Sequence, residues 1–181
     1  MTAFRSAALI ALIALTGCGE DGDRFTVTLV NRDMSYDRSY FTDDPLVAEI
    51  HNAPFDGLTP EDTATLLRLP QSYGDPSAFA YAAPGQNPPV KVRLTIAFNS
   101  RAPLSAQDLC TATTPLGAST PLDVDRFMAD MALCRDDVVI ASASMIAKTG
   151  ADRDPAFAAR SLQHLMLVTF GDHAERAQWE R

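Results

Sequence analysis

The stretch VKVRLTIAFN, Val90–Asn99, decides the fold. Val90, Val92, Leu94, Ile96 and Phe98 fall on one face, with Lys91, Arg93, Thr95 and Asn99 on the other. That is the period of a strand, in which successive side chains point to opposite sides of the sheet. One apolar and one polar face predict a strand with one side on a core and the other in water, which favours an antiparallel sheet.

Towards the C-terminus, Ser105 with Asp108 three residues on makes a capping pair for a helix running into Cys110. The next segment fits two patterns. Val124, Phe127, Met128 and Met131 have helical spacing, with Thr120-Pro121 as a start. The following DVVIASASMI, Asp137–Ile146, is strand-like and needs a neighbour. Phe127–Cys134, joined to it by a tight Arg135-Asp136-Asp137 turn, would complete a hairpin. The hairpin is the expectation and the helix its alternative. Asp154-Pro155 opens a last helix to Phe170, burying Phe157, Ala158, Leu162, Leu165 and Met166, and Gly171 suits its end. Asp172–Arg181 reads as a short surface helix or a frayed tail.

Towards the N-terminus, Pro70–Pro89 is rich in proline and glycine and carries Tyr73, Phe79 and Tyr81. So long a loop without structure of its own is usually functional or disordered. Within it, Ala78–Ala82 could form a short strand or helical turn. Thr59-Pro60-Glu61-Asp62 combines a cap, a proline at the first helical position and acids facing the positive end of the dipole. That helix should carry Ala64, Leu66 and Leu67 and stop near Pro70. Leu46–Ile50 is too short to classify. Asn31–Pro45, with Tyr36, Tyr40 and Phe41 among polar residues, reads as a loop or a flexible tether. Phe25–Val30, FTVTLV, alternates as a second half-buried strand. The order predicts one α+β domain over residues 25–181, with helices packed on one face of a small antiparallel sheet.

Ahead of that domain lie a short acidic tether, residues 18–24, and a distinct leader, residues 1–17. The leader has one positive charge, Arg5, before the apolar run Ala7–Leu15. The run is far shorter than the roughly 20 residues a spanning helix needs, so it reads as an export signal. Leu15-Thr16-Gly17-Cys18 follows and resembles the lipobox of bacterial lipoproteins. The resemblance implies cleavage before Cys18, a diacylglycerol on its sulfur and acylation of the new amine. Several acyl chains make anchoring in the lipid bilayer effectively permanent. By the sorting rule of enteric lipoproteins, Gly19 in place of aspartate implies the outer membrane, facing the periplasm, over the inner membrane. The remaining order of elements is similar to small proteobacterial envelope proteins of unassigned function, a likeness that carries no residue's role.

With Cys18 set aside, the three cysteines leave Cys110 and Cys134 as a pair in an oxidising compartment. A disulfide between them is expected, with two buried thiols as the alternative. The chain has 181 residues, 46% hydrophobic and 21% charged, which suits one globular domain. Net charge is −8 with no dense Lys/Arg cluster, which argues against nucleic acid as a partner.

No catalytic, metal or cofactor motif stands out. Lys148-Thr149-Gly150 matches a β-lactamase tripeptide, yet no serine is followed by lysine at the Ser-x-x-Lys spacing those enzymes need. His164 and His173 are nine residues apart, on opposite faces of any continuous helix. His51, with Asp43, Asp44 and Asp56 nearby in sequence, could be an acid–base site, but solvated loop residues are the simpler account. Tyr73, Phe79 and Tyr81 are the candidate contacts for an envelope protein or cell-wall component, unless they fold back over the sheet. The function expected is non-catalytic binding or assembly at the periplasmic membrane surface. The alternative is a periplasmic hydrolase acting on cell-wall or lipid material.

Overall fold

A computed structural model describes residues 24–32, 41, 46–55, 57–73, 79–86, 90–100, 104–117, 126–148 and 155–171. Cys18, the leader, the tether up to Asp23, Tyr36, Tyr40, Asp43, Asp44, Asp56 and the tail from Asp172 lie outside the described residues, and Arg24, expected to close the tether, already belongs to the first strand. In chain order the elements are β1 (Arg24–Arg32), β2 (Leu46–His51), α1 (Pro60–Leu66), β3 (Phe79–Ala82), β4 (Val92–Phe98), α2 (Ala106–Thr111), β5 (Arg126–Arg135), β6 (Val138–Lys148) and α3 (Pro155–Phe170). The fold is α+β, with one open six-stranded sheet in the order β1-β6-β5-β4-β2-β3.

Residues 126–148 resolve the ambiguity of the sequence. β5 and β6 form an antiparallel hairpin, with Phe127 opposite Ala147 and Met131 opposite Ala143. Asp136 turns the chain with φ 53°, a left-handed conformation that aspartate tolerates better than most residues. Thr59 and Ser105 both build reciprocal capping boxes, with Asp62 and Asp108 respectively. The last helix spans its expected range and α1 ends at Leu66, short of Pro70.

Two features differ from an antiparallel sheet with all helices on one side. First, the sheet is mixed: β2 runs parallel to both β3 and β4, and the other three pairings are antiparallel. Parallel neighbours require a long crossover, and α1 supplies the link from β2 to β3. β2 is buried at all six positions, as a strand covered on both faces should be. Second, the helices divide between the faces. Leu94, Ile96 and Phe98 point with Met131, Leu133, Met145 and Ile50 into the main core, shared with Phe157, Leu162 and Phe170 of α3 and Ala64 of α1. α2 lies across the opposite face, where Leu109 and Cys110 pack with Ala97, Ala132 and Cys134. The second face of β4 is therefore dry at its centre: Thr95 and Ala97 are each 0% exposed.

Aromatic rings knit the main core. Phe127 lies 5.5 Å from Phe98, 5.0 Å from Phe55 and 5.9 Å from Phe157, centroid to centroid. Cys110 and Cys134 form a disulfide with their Cα atoms 5.5 Å apart, tying α2 to β5. Closing a loop of this length stabilises the fold by about 3–4 kcal/mol on the chain-entropy model.

Candidate functional site

The chemistry-bearing side chains collect on the face beneath α2. Strand alternation puts Glu49 and His51 of β2, Arg93 and Thr95 of β4, Asp130 of β5, and Ser142 and Ser144 of β6 on that side. Register makes them neighbours: Glu49 sits beside Thr95, His51 beside Ala97, Ala97 beside Asp130, and Asp130 beside Ser144. Ala97 separates the histidine from Asp130, so the polar groups form two clusters.

The first cluster is Glu49, His51 and Arg93. The backbone N–H of Leu116 donates to Nδ1 of His51 at 3.2 Å. An accepting Nδ1 carries no proton, so the ring proton is on Nε2. Nε2 lies 3.0 Å from Glu49 Oε1. The approach is close but poorly directed, since neither atom has a hydrogen-bond partner of good geometry. Glu49 Oε2 is 3.4 Å from Arg93 Nε, and the guanidinium also donates to the carbonyls of Asp136, at 2.8 Å, and Cys110. Arg93 thus joins β2, the β5–β6 turn and the end of α2 through one planar fork. His51 is 0% exposed and Glu49 2%. The histidine and its carboxylate are therefore closed off from solvent, and only Arg93, with its side chain 12% exposed, reaches the surface.

The second cluster opens outward. Asp130 accepts hydrogen bonds from Ser144 Oγ at 2.6 Å and Ser100 Oγ at 3.3 Å, one on each carboxylate oxygen. Beside it the Ser142 hydroxyl is buried without a hydrogen-bond partner. Asp130, Ser142 and Ser144 form the floor of an open cleft of about 130 Å³, walled by Leu104, Ser105, Ala106 and Leu109 where α2 begins.

The residues singled out in the sequence scatter. Phe79 is buried in β3 and belongs to the main core. Tyr73 packs edge-on against Phe41, centroids 5.1 Å apart, and its hydroxyl donates to the Phe170 carbonyl at 3.3 Å. Tyr81 is half-buried against the same core, and burial chiefly raises its hydroxyl's pKa above the ordinary value. Phe79 and Tyr81 are themselves part of the edge strand β3, and all three rings pack on the main core. His51 is no solvated loop residue: it ends β2 and is wholly enclosed. His164 lies half-buried on α3, where burial lowers its pKa. Lys148 ends β6, and Thr149 and Gly150 lie outside the described residues, as does His173. Among the described residues, no group of three or more His, Cys, Asp or Glu side chains could hold a metal ion, and no helix is long and apolar enough to cross a membrane.

Glu49, Arg93, Asp130 and the serines were not singled out in the sequence. A usable signal was there for Asp130, the one acid inside the otherwise apolar run from Phe127 to Cys134. Glu-x-His in LVAEIH puts both side chains on one face only once that short segment is known to be a strand. No protein-family model matches the chain, and neither the curated proteins nor the solved structures give a significant match.

Proposed function

We propose that this protein is an exported lipoprotein, held to the outer membrane through acylated Cys18, whose domain works at the periplasmic surface by binding another envelope component. The observation that carries the non-catalytic part is the enclosure of His51. Its Nδ1 is occupied by the Leu116 N–H and its Nε2 faces Glu49, and the histidine and the glutamate are both buried. A general base must reach the proton it abstracts in a bound substrate. This histidine is built into the sheet, and its partner acid is built in with it.

Export and anchoring rest on Leu15-Thr16-Gly17-Cys18 after the short apolar run. The Cys110–Cys134 bond supports them, because disulfides form and persist in oxidising compartments. The acidic tether leaves the domain close to the bilayer, since an extended chain reaches only about 3.3–3.6 Å per residue.

In-cell cross-linking followed by purification of the full chain tests this, with Cys18→Ala as control. The expected result is a defined set of envelope partners that shrinks or disappears in Cys18→Ala. An unchanged set with the variant, or hydrolysis of cell-wall or lipid substrates by the purified chain, overturns it.

A further inference from the structure

We propose that the cleft between the start of α2 and the β5–β6 hairpin binds a primary alkylammonium group, with Asp130 as its counter-ion. The site is independent of the membrane anchor.

The donor and acceptor inventory sets the charge of the ligand. Ser100 and Ser144 each have one hydroxyl proton, and both protons go to Asp130. What Ser144, the one of the two that lines the cleft, has left to offer is lone pairs. A carboxylate has about four acceptor positions, of which two are filled here. The floor of the cleft is therefore rich in acceptors and negatively charged. An ammonium group, with three donors and no acceptor, complements it; an anion meets repulsion.

Burial sharpens the preference. Asp130 is 5% exposed and Ser142 3%. The Ser142 hydroxyl lines the cleft and has no partner, although buried polar groups are nearly always hydrogen-bonded. A ligand with several donors, or water brought in with it, would satisfy that oxygen. Leu104, Ala106 and Leu109 supply apolar walls for an alkyl stem. The volume of about 130 Å³ is close to the roughly 150 Å³ of an engineered cavity that holds benzene. n-Butylammonium is of that size. So is the end of a lysine side chain, and the two sources share one chemistry.

Titration calorimetry on the full chain in detergent tests the assignment, with n-butylammonium, n-butanol and butyrate as probes. The expected result is saturable binding of n-butylammonium, at least about tenfold weaker binding of n-butanol, and none of butyrate. Asp130→Asn should lose at least about tenfold in affinity. If that variant fails to fold, Ala106→Phe decides, because it fills the mouth of the cleft from α2 and leaves the carboxylate in place. Equal binding of n-butanol, no saturable binding of the amine, or full affinity in Ala106→Phe overturns the proposal. A blocked Gly-Lys-Gly tripeptide separates the sources. Binding comparable to n-butylammonium assigns the site to a partner's lysine, and binding of the free amine alone assigns it to a small molecule.

Discussion

The backbone N–H of Leu116 donates to Nδ1 of His51 at 3.2 Å, which fixes the ring so that its Nε2 faces Glu49 at 3.0 Å. One histidine thereby connects the segment after α2 to β2 and a buried carboxylate. Replacing His51 with leucine leaves the Leu116 N–H and Glu49 without it, and should destabilise the fold by about 2–4 kcal/mol. Glu49→Leu should cost a similar amount through Arg93. The double variant should cost less than the sum, because each change removes the other's stranded partner. Urea unfolding of the four proteins measures the coupling; additive losses would show that the two groups do not interact.

The disulfide should be structural. Both cysteines are 0% exposed and join α2 to β5. Cys110→Ala with Cys134→Ala should lower stability by about 3–4 kcal/mol. Limited proteolysis should then cut near α2 before the β5–β6 hairpin. A variant as stable as the parent would mean that packing of Leu109 alone holds the helix.

Asp108 gives a pH-dependent effect of known sign. The Ser105 hydroxyl donates to its carboxylate, with the Ser105 backbone N–H as a second donor, and together they lower its pKa below the ordinary value. A lowered carboxylate contributes stability that is fully present above its unfolded value and is lost as pH falls through its folded value. An NMR titration of Asp108 should find a low midpoint that rises in Ser105→Ala. An unchanged midpoint would mean that the capping box does not form in solution.

Gly85 has φ 78°, and a Cβ there would lie 2.3 Å from the Thr113 carbonyl oxygen. Gly85→Ala must therefore both strain the backbone and push apart the β3 loop and the segment after α2. The expected loss exceeds about 1 kcal/mol, seen as a lower Tm. Gly57 also has positive φ, but with nothing within 4 Å of its Cβ position, so Gly57→Ala should cost less than Gly85→Ala.

Phe79 should act through stability. It is 5% exposed in β3 and belongs to the main core. Phe79→Ala should cost about 3–5 kcal/mol, whereas Tyr73→Phe removes one hydrogen bond and should cost about 1 kcal/mol. If Phe79→Ala unfolds like the parent but loses cross-linked partners, its ring makes a contact that its burial does not suggest.

Much of the fold was legible because the local signals agreed with the tertiary structure. Val92–Phe98, the two capping boxes and the helix opening at Pro155 each carry period and punctuation together. Leu46–His51 was not legible, since a short strand buried on both faces has no alternation to detect. Its parallel pairing, and so the mixed sheet, was hidden with it. The polar clusters depend on which strands become neighbours. Asp130 meets Ser144 only across the hairpin, and Glu49 reaches Arg93 only through a pairing of β2 with β4. The cysteine pair needed no topology once Cys18 was set aside.

The most direct test of the anchored lipoprotein is the mass of the N-terminal peptide from the full chain expressed in a Gram-negative host and extracted from its membranes. Cleavage and acylation at the lipobox should leave a peptide beginning at Cys18 and carrying acyl chains, with Cys18→Ala retaining residues 1–17 or leaving the membrane fraction. A wild-type peptide that begins elsewhere, or begins at Cys18 without lipid, would contradict it.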